Sequence, residues 1–204
     1  MIQFLSERTA RYLAKDNDTV DIEVLTYGCY LFYQEWIIRI VMLLVALPFG
    51  LFFHVLASII AFTLIRRCAM GAHARHPIVC KIMMSFVVFT PAILAEFFHI
   101  SFTPVAFVVM YIFGLVSLLL YAPAETDVKK VRDLQQRKRL KLESIAWLSA
   151  LFLASVLLQG ILPAISFAIV ATAILACCFV HPWMYIVNGF DPITREERNT
   201  KKGD

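Results

Sequence analysis

The sequence predicts an all-α protein with about six membrane-spanning helices, and three observations support that prediction. Of the 204 residues, 60% are hydrophobic, whereas about half are apolar in a soluble globular domain. A bilayer core needs roughly 20 apolar residues per helix, and backbone groups in lipid must be hydrogen-bonded within their own segment. Stretches without any Asp, Glu, Lys or Arg meet that requirement at 40–65, 82–95, 97–124 and 144–190.

The first 26 residues are predicted to form a cytoplasmic or interfacial amphipathic segment. Ile2, Leu5 and Tyr12 fall near one face of a helix, and Arg8 and Arg11 fall on other faces. Such a helix suits the inner leaflet of a membrane. The alternative is a short solvated helix that packs on the rest of the protein.

The transmembrane core is predicted over 27–190, with a cytoplasmic tail over 191–204, so that 1–204 forms one integral-membrane domain. The helical pattern of the first span extends upstream to about Tyr27, and Glu35 and Arg39 can pair there at i,i+4. The last uncharged stretch is too long for one span, and Gly160 and Pro163 favour a tight turn at its middle. The alternative is four spans with a re-entrant hairpin. The predicted spans are 27–47, 50–66, 80–97, 103–122, 144–160 and 164–187.

The basic residues predict the orientation of these spans. They cluster at 66–81, at 129–141 and at 195–202, and the alternate connections contain no Lys or Arg. Positive charge is enriched on the cytoplasmic side of membrane proteins. The three basic segments, and with them both termini, are therefore expected to be cytoplasmic in a multi-pass protein of the cell membrane.

The connection "GAHARHPIVC" (71–80) carries the residues best suited to chemistry. Pro77 favours the start of a helix, which puts Cys80 in the first helical turn. There the free backbone N–H groups and the positive end of the helix dipole stabilise a thiolate. His73 and His76 lie upstream on a connection with Gly71 as a hinge, and either could act as the base of a Cys–His pair. The spacing alone does not choose between them, and ordinary structural roles are the alternative.

Two other kinds of site and protein fit less well. His73, His76 and Cys80 supply three metal ligands, whereas a structural zinc site needs four, and Cys68 has irregular spacing. We therefore expect no metal and no cofactor.

A transporter or a structural membrane subunit is the competing class. Transport would be expected to show intramembrane ionisable residues or inverted repeats, but the charges lie outside the spans, apart from the Glu35 and Arg39 pair.

Two motifs resemble those of the accessory gene regulator B (AgrB) family, and the resemblance covers essentially the whole chain. "RRCAMGAHARHPIVCK" (66–81) has the paired arginines, the Gly-x-His-Ala element and the following cysteine of that family. "YAPAETDVKKVRDLQQRKRLK" (121–141) is similar to its Tyr-Ala-Pro-x-x-Thr segment and basic run, although "TDVKKV" lacks the proline that many relatives have there.

The resemblance implies a multi-pass cysteine endopeptidase that processes the short AgrD-like precursor of a cyclic autoinducing peptide in quorum sensing. His73 then takes the place of the family's histidine and Cys80 that of its nucleophile, whereas His76 has no such role. The expected partners are this precursor and the lipid bilayer, with no nucleic acid. The oligomeric state stays open, a homodimer included.

The basic run from Lys129 to Lys141 has two compatible interpretations. It acts as a determinant of membrane topology, and some of its cations can receive the acidic C-terminal tail typical of the family's substrates. Lys129, Lys130 and Arg137 are the candidate substrate-binding residues. Glu125 and Asp127 could orient an imidazole, but the sequence does not assign a catalytic triad.

Overall fold

The structure is a computed structural model that describes residues 2–15, 21–71, 77–100, 102–124 and 134–181. Within these ranges the chain is built of α-helices, with one short 3₁₀ turn at Leu47–Phe49. This confirms the all-α fold class. The helices are α1 (Ile2–Leu13), α2 (Ile22–Ala46), α3 (Phe52–Ala69), α4 (Pro77–Phe97), α5 (Pro104–Tyr121), α6 (Leu134–Gln159) and α7 (Pro163–Cys178).

The first compact unit, Met1–Phe49, contains α1 and α2. Helix α1 packs on α2 through small side chains, since Ser6 and Ala10 are buried. Thr9 adds a hydrogen bond of 2.8 Å between its hydroxyl and that of Tyr33. The predicted amphipathic segment is thus helical over Ile2–Leu13, and its place on a leaflet stays a prediction.

Helix α2 begins at Ile22, five residues before the predicted start of the first span (27 − 22 = 5). The cause is Asp21, whose carboxylate accepts a hydrogen bond of 2.9 Å from the Glu23 N–H and so caps the helix. Further along α2, Arg39 donates to Glu35 at 3.0 Å, as the i,i+4 spacing predicts. The helix gives way to the 3₁₀ turn at the predicted boundary.

The second compact unit, Gly50–Asp204, contains α3 to α7. Helix α7 packs against each of the other four helices and supplies much of the buried core. Gly114 lets α5 approach closely, because a Cβ there would lie 3.0 Å from the Ile174 side chain and 3.2 Å from that of Leu148. Ser166 on α7 donates to the buried Ser155 carbonyl of α6 at 2.8 Å, which keeps polar atoms paired inside an apolar core.

Five helices, α2 to α6, are long and apolar enough to cross a membrane, and α7 is a shorter apolar helix of 16 residues. The boundaries differ most at α6, which begins at Leu134 rather than at the predicted 144. Its first turns are rich in good helix formers, and Arg139 pairs with Glu143 at i,i+4 over 2.7 Å. Helix α7 ends at Cys178, and the predicted tail over 191–204 lies outside the described residues.

The two ends of the second unit differ in chemistry. At one end, here called the basic end, α3 finishes with Arg66 and Arg67 and α6 starts with its run of cations. At the opposite end, His54 Nε2 lies 3.3 Å from a carboxylate oxygen of Glu96. This contact links the start of α3 to the end of α4.

Candidate functional site

Cys80 lies where the sequence predicts it, in the first turn of α4. The helix begins at Pro77, three residues before Cys80 (80 − 77 = 3), and the cysteine is partly exposed. The N–H groups of a first helical turn have no intrahelical acceptor and carry the positive end of the helix dipole, so they favour an anion there. His73 and His76 lie outside the described residues, and the pairing of an imidazole with Cys80 therefore stays a prediction.

The two sequence motifs meet at a short backbone bridge. Met70 and Ala124 form an isolated parallel β-bridge. The Gly71 N–H donates to the Ala124 carbonyl at 3.2 Å, and the Ala124 N–H donates to the Ala69 carbonyl at 3.0 Å. The chain that leads into the histidine motif is therefore tied to the Tyr-Ala-Pro segment that leads into the basic run.

Arg66, in the last turn of α3, contacts this bridge. Its Nη1 donates to the Met70 carbonyl at 3.1 Å. The guanidinium carbon also lies 5.8 Å from the ring centre of Phe62 and 5.1 Å from that of Phe179. These are cation–π distances, and such contacts stabilise a partly buried guanidinium. Arg66 therefore joins α3, the turn after α7 and the turn before His73.

Gly71, the expected hinge, is closely surrounded by Arg66 and Phe179. It is buried, and its φ of +110° is a backbone conformation that other residues rarely adopt. A Cβ on Gly71 would lie 2.7 Å from Nη1 of Arg66 and 2.8 Å from the carbonyl oxygen of Phe179. These neighbours leave no room for a side chain at this position, and the role of Gly71 as a hinge for His73 stays a prediction.

A cleft of about 300 Å³ opens at the basic end between the end of α3 and the start of α6. Arg139 donates from Nε to Glu143 over 2.7 Å, and the Cys68 thiol donates to the same carboxylate at 3.7 Å. Glu143 precedes the uncharged stretch of α6. The hydrogen bond from Arg139 lowers the pKa of Glu143, and this effect outweighs partial desolvation, which acts in the opposite direction. The cleft is lined by Arg67, Cys68, Met70, Gln136, Arg139, Leu140 and Glu143.

The predicted substrate-binding cations are only partly within the described residues. Arg137 is exposed in the first turn of α6 and does not line the cleft. It lies about 100° around the helix from Gln136, which does line it. Lys129 and Lys130 lie outside the described ranges, as do Glu125 and Asp127.

Among the described residues, no group of three or more His, Cys, Asp or Glu side chains could hold a metal ion. Because His73 and His76 are not among them, the expectation of a metal-free site stays a prediction.

Comparison with known proteins decides the family. The family model of accessory gene regulator B matches residues 6–187. The chain belongs to the AgrB family. This confirms the resemblance inferred from the two motifs, and the match includes α2 to α7 in full.

Three relatives illustrate the similarity. The accessory gene regulator protein B of Staphylococcus lugdunensis is 32% identical over 155 residues, 74% of this chain and 79% of the relative. The protein of that name from Staphylococcus aureus (strain bovine RF122 / ET3-1) is 30% identical over 142 residues, 68% of this chain and 74% of the relative. AgrB-like protein 2 of Clostridium perfringens is 25% identical over 160 residues, 76% of this chain and 74% of the relative. No solved structure matches the chain.

The sequence does not predict the contacts that join Arg66, Gly71 and Ala124, which are the hydrogen bonds from Arg66 to the Met70 carbonyl and from Gly71 to the Ala124 carbonyl. The sequence assigns Arg66 no contact, and it gives Gly71 only the role of a hinge. Their spacing carries no information on the contact with Phe179, which comes from a separate part of the chain. The positive φ of Gly71 is the one property that its residue type could have signalled.

Proposed function

We propose that this protein is a cysteine endopeptidase that cleaves a short AgrD-like precursor and promotes its cyclisation to a thiolactone autoinducing peptide for quorum sensing. The observation that carries the proposal is the position of Cys80 in the first turn of α4, at the basic end of the second unit. Membership of the AgrB family supports it. The position suits a nucleophilic thiolate, because first-turn N–H groups and the helix dipole favour negative charge.

The first half of the proposed reaction forms an acyl-enzyme. His73 accepts the thiol proton of Cys80, and Sγ attacks the carbonyl carbon of the scissile peptide bond. N–H groups at the start of α4 are suited to stabilise the oxyanion of the tetrahedral intermediate. The C–N bond then breaks, the proton passes from His73 to the leaving amine, and the N-terminal part of the precursor remains on Cys80 as a thioester.

The second half closes the ring. A cysteine thiol of the precursor gives its proton to His73 and attacks the thioester carbonyl, and Cys80 leaves and recovers that proton. One thioester replaces another, so the acyl group stays activated and little free energy is lost. Water would instead release a linear acid, and an apolar surrounding favours the nearby internal thiol over water through proximity and desolvation.

The proposed orientation places this chemistry at the cytoplasmic face of the cell membrane. Cys80, Arg66 and the start of α6 belong to the same end of the second unit, and that end carries the positive charge. Enrichment of Lys and Arg on the cytoplasmic side supports a cytoplasmic position for it, with both termini on the same side.

We further propose that Lys129, Lys130 and Arg137 receive the acidic tail of the precursor. Exposed ion pairs contribute about 0.2–1 kcal/mol each, so changing all three to glutamine is expected to raise KM about tenfold and to leave kcat nearly unchanged. Peptide cleavage in proteoliposomes measures both constants. The matched control R8Q/R11Q/K15Q removes the same charge from the first unit and should leave KM within about twofold. An equal rise of KM in both variants would mean that overall charge, and not these residues, attracts the substrate.

Intact-mass spectrometry of the peptide products tests the proposed function itself. Membranes that contain the wild-type protein and a full-length AgrD-like precursor are expected to yield an N-terminal fragment lighter than its linear acid by one water. That mass requires both cleavage and ring closure. Cleavage to the linear acid alone would support a peptidase without cyclisation, and an unprocessed precursor would favour the transporter or structural alternative.

A further inference from the structure

We propose that the cleft between α3 and α6 binds the headgroup of an anionic phospholipid, with phosphatidylglycerol as the best fit to its side chains. The site would help to hold the basic end of the second unit at the membrane surface. The cleft residues are distinct from His73 and Cys80. The proposal uses the membrane location of this chain but no step of the proposed peptidase reaction.

The cations of the cleft come from two different helices. Arg67 lies in the last turn of α3 and is exposed, and Arg139 lies in the second turn of α6 and is 80% exposed at its side chain. The bond from Arg139 to Glu143 uses Nε and leaves the two terminal amino groups of the guanidinium as donors. Two guanidinium groups beside one cleft suit a phosphodiester, since planar guanidinium groups bind phosphate oxygens in a bidentate manner.

Glu143 narrows the choice of headgroup. Its carboxylate lies in the same cleft and accepts bonds from Arg139 and Cys68. With Arg67 and Arg139, the lining side chains carry a net charge of +1 (2 − 1 = 1). A headgroup that combines one phosphate with hydroxyl donors matches this set, because the hydroxyls can donate to Glu143. The glycerol of phosphatidylglycerol supplies such donors.

Each of the two helices also carries an exposed apolar side chain one or two turns from the cleft, away from the basic end. Trp147 follows Glu143 at i+4 on α6 and is 41% exposed, and Ile60 precedes Arg67 by seven residues on α3 and is 49% exposed. These spacings keep each apolar residue on the face of its charged partner. Tryptophan favours the membrane interface, and acyl chains need such an apolar surface below their headgroup. A free anion does not need it, and basic pockets between membrane helices bind anionic headgroups, which favours a lipid.

Native mass spectrometry of the purified full-length protein in a neutral detergent tests the site by titration with phosphatidylglycerol and with phosphatidylcholine. We expect tighter binding of phosphatidylglycerol, and a loss of about 30-fold in its affinity in R67Q/R139Q. The matched control K138Q/K141Q removes the same charge from α6, but both lysines lie about 150° around the helix from the cleft face. Its affinity should stay within about twofold. R67K/R139K keeps the charge and should retain more affinity than R67Q/R139Q, which separates charge from loss of fold.

Three results would overturn the proposal. Equal losses in R67Q/R139Q and K138Q/K141Q would mean that general surface charge attracts the lipid. Displacement of the lipid by an equal concentration of glycerol 3-phosphate would mean a site for small anions that does not use the acyl chains. Retention of an oligoglutamate peptide in preference to phosphatidylglycerol, with the same loss in R67Q/R139Q, would make the cleft a peptide site. None of these readouts depends on peptide cleavage, so failure here leaves the peptidase proposal standing.

Discussion

Replacing Cys80 by alanine is expected to abolish cleavage of the precursor, with a loss in turnover of about 10⁴-fold or more. The thiolate is the only group in the proposed mechanism that forms a bond to the substrate, so no other side chain can carry the first step. The measurement is the rate of precursor cleavage in membranes at equal amounts of folded protein. Because Cys80 is partly exposed at the start of α4, the substitution should leave thermal unfolding nearly unchanged.

The matched control for this variant is Cys29→Ala. Cys29 is also a partly exposed cysteine in an apolar helix, but it lies in α2 of the first unit and has no role in the proposed reaction. It should cleave the precursor at nearly the wild-type rate. If Cys80→Ala processes the precursor as fast as Cys29→Ala, then Cys80 is not the nucleophile.

The second large effect is expected at Gly71. A methyl group there would stand 2.7 Å from Nη1 of Arg66 and 2.8 Å from the carbonyl oxygen of Phe179, while φ stays at +110°. Backbone strain and overpacking each cost about 1–3 kcal/mol, so Gly71→Ala is expected to lower the free energy of unfolding by about 2–4 kcal/mol. Relief of the clash would shift the turn that leads to His73, and cleavage should fall at least about tenfold.

Gly50→Ala is the control that separates backbone strain from crowding. Gly50 also has a positive φ, +72°, but a Cβ there meets nothing within 4 Å. It should lose only about 1–2 kcal/mol and keep its cleavage activity. Chemical unfolding measures stability, and product mass measures activity. Unchanged stability and cleavage in Gly71→Ala would show that the packing around Arg66 does not constrain the histidine segment.

Much of the helical architecture was predictable because lipid imposes a simple rule on the sequence. Uncharged stretches must be helical when they cross a bilayer, and Pro77 marks the start of α4 through its fixed φ. The same local logic correctly predicted the Glu35 and Arg39 pair. The position of Cys80 in a first helical turn follows from Pro77 alone.

The contacts around the site were not predictable, because they join residues that are distant in sequence. Arg66 meets Phe179, and Met70 pairs with Ala124, through packing that no local pattern encodes. The start of α6 was not predictable in the same way, because a lack of charge marks a membrane span but not the part of its helix that extends beyond the span. Residues 134–143 are highly charged and still helical, and the pair between Arg139 and Glu143 supports them.

The central claim, a thioester on Cys80, is tested most directly by trapping it. A precursor whose internal cysteine is changed to alanine can be cleaved but cannot close the ring, so the acyl group should remain on the protein until water removes it. Intact-mass spectrometry after rapid acid quench should show the protein heavier by the N-terminal fragment less one water. Hydroxylamine should remove this mass, and peptide mapping should place it on Cys80. If the precursor is cleaved within the first turnover and no such adduct is detected, the proposed thioester on Cys80 is contradicted.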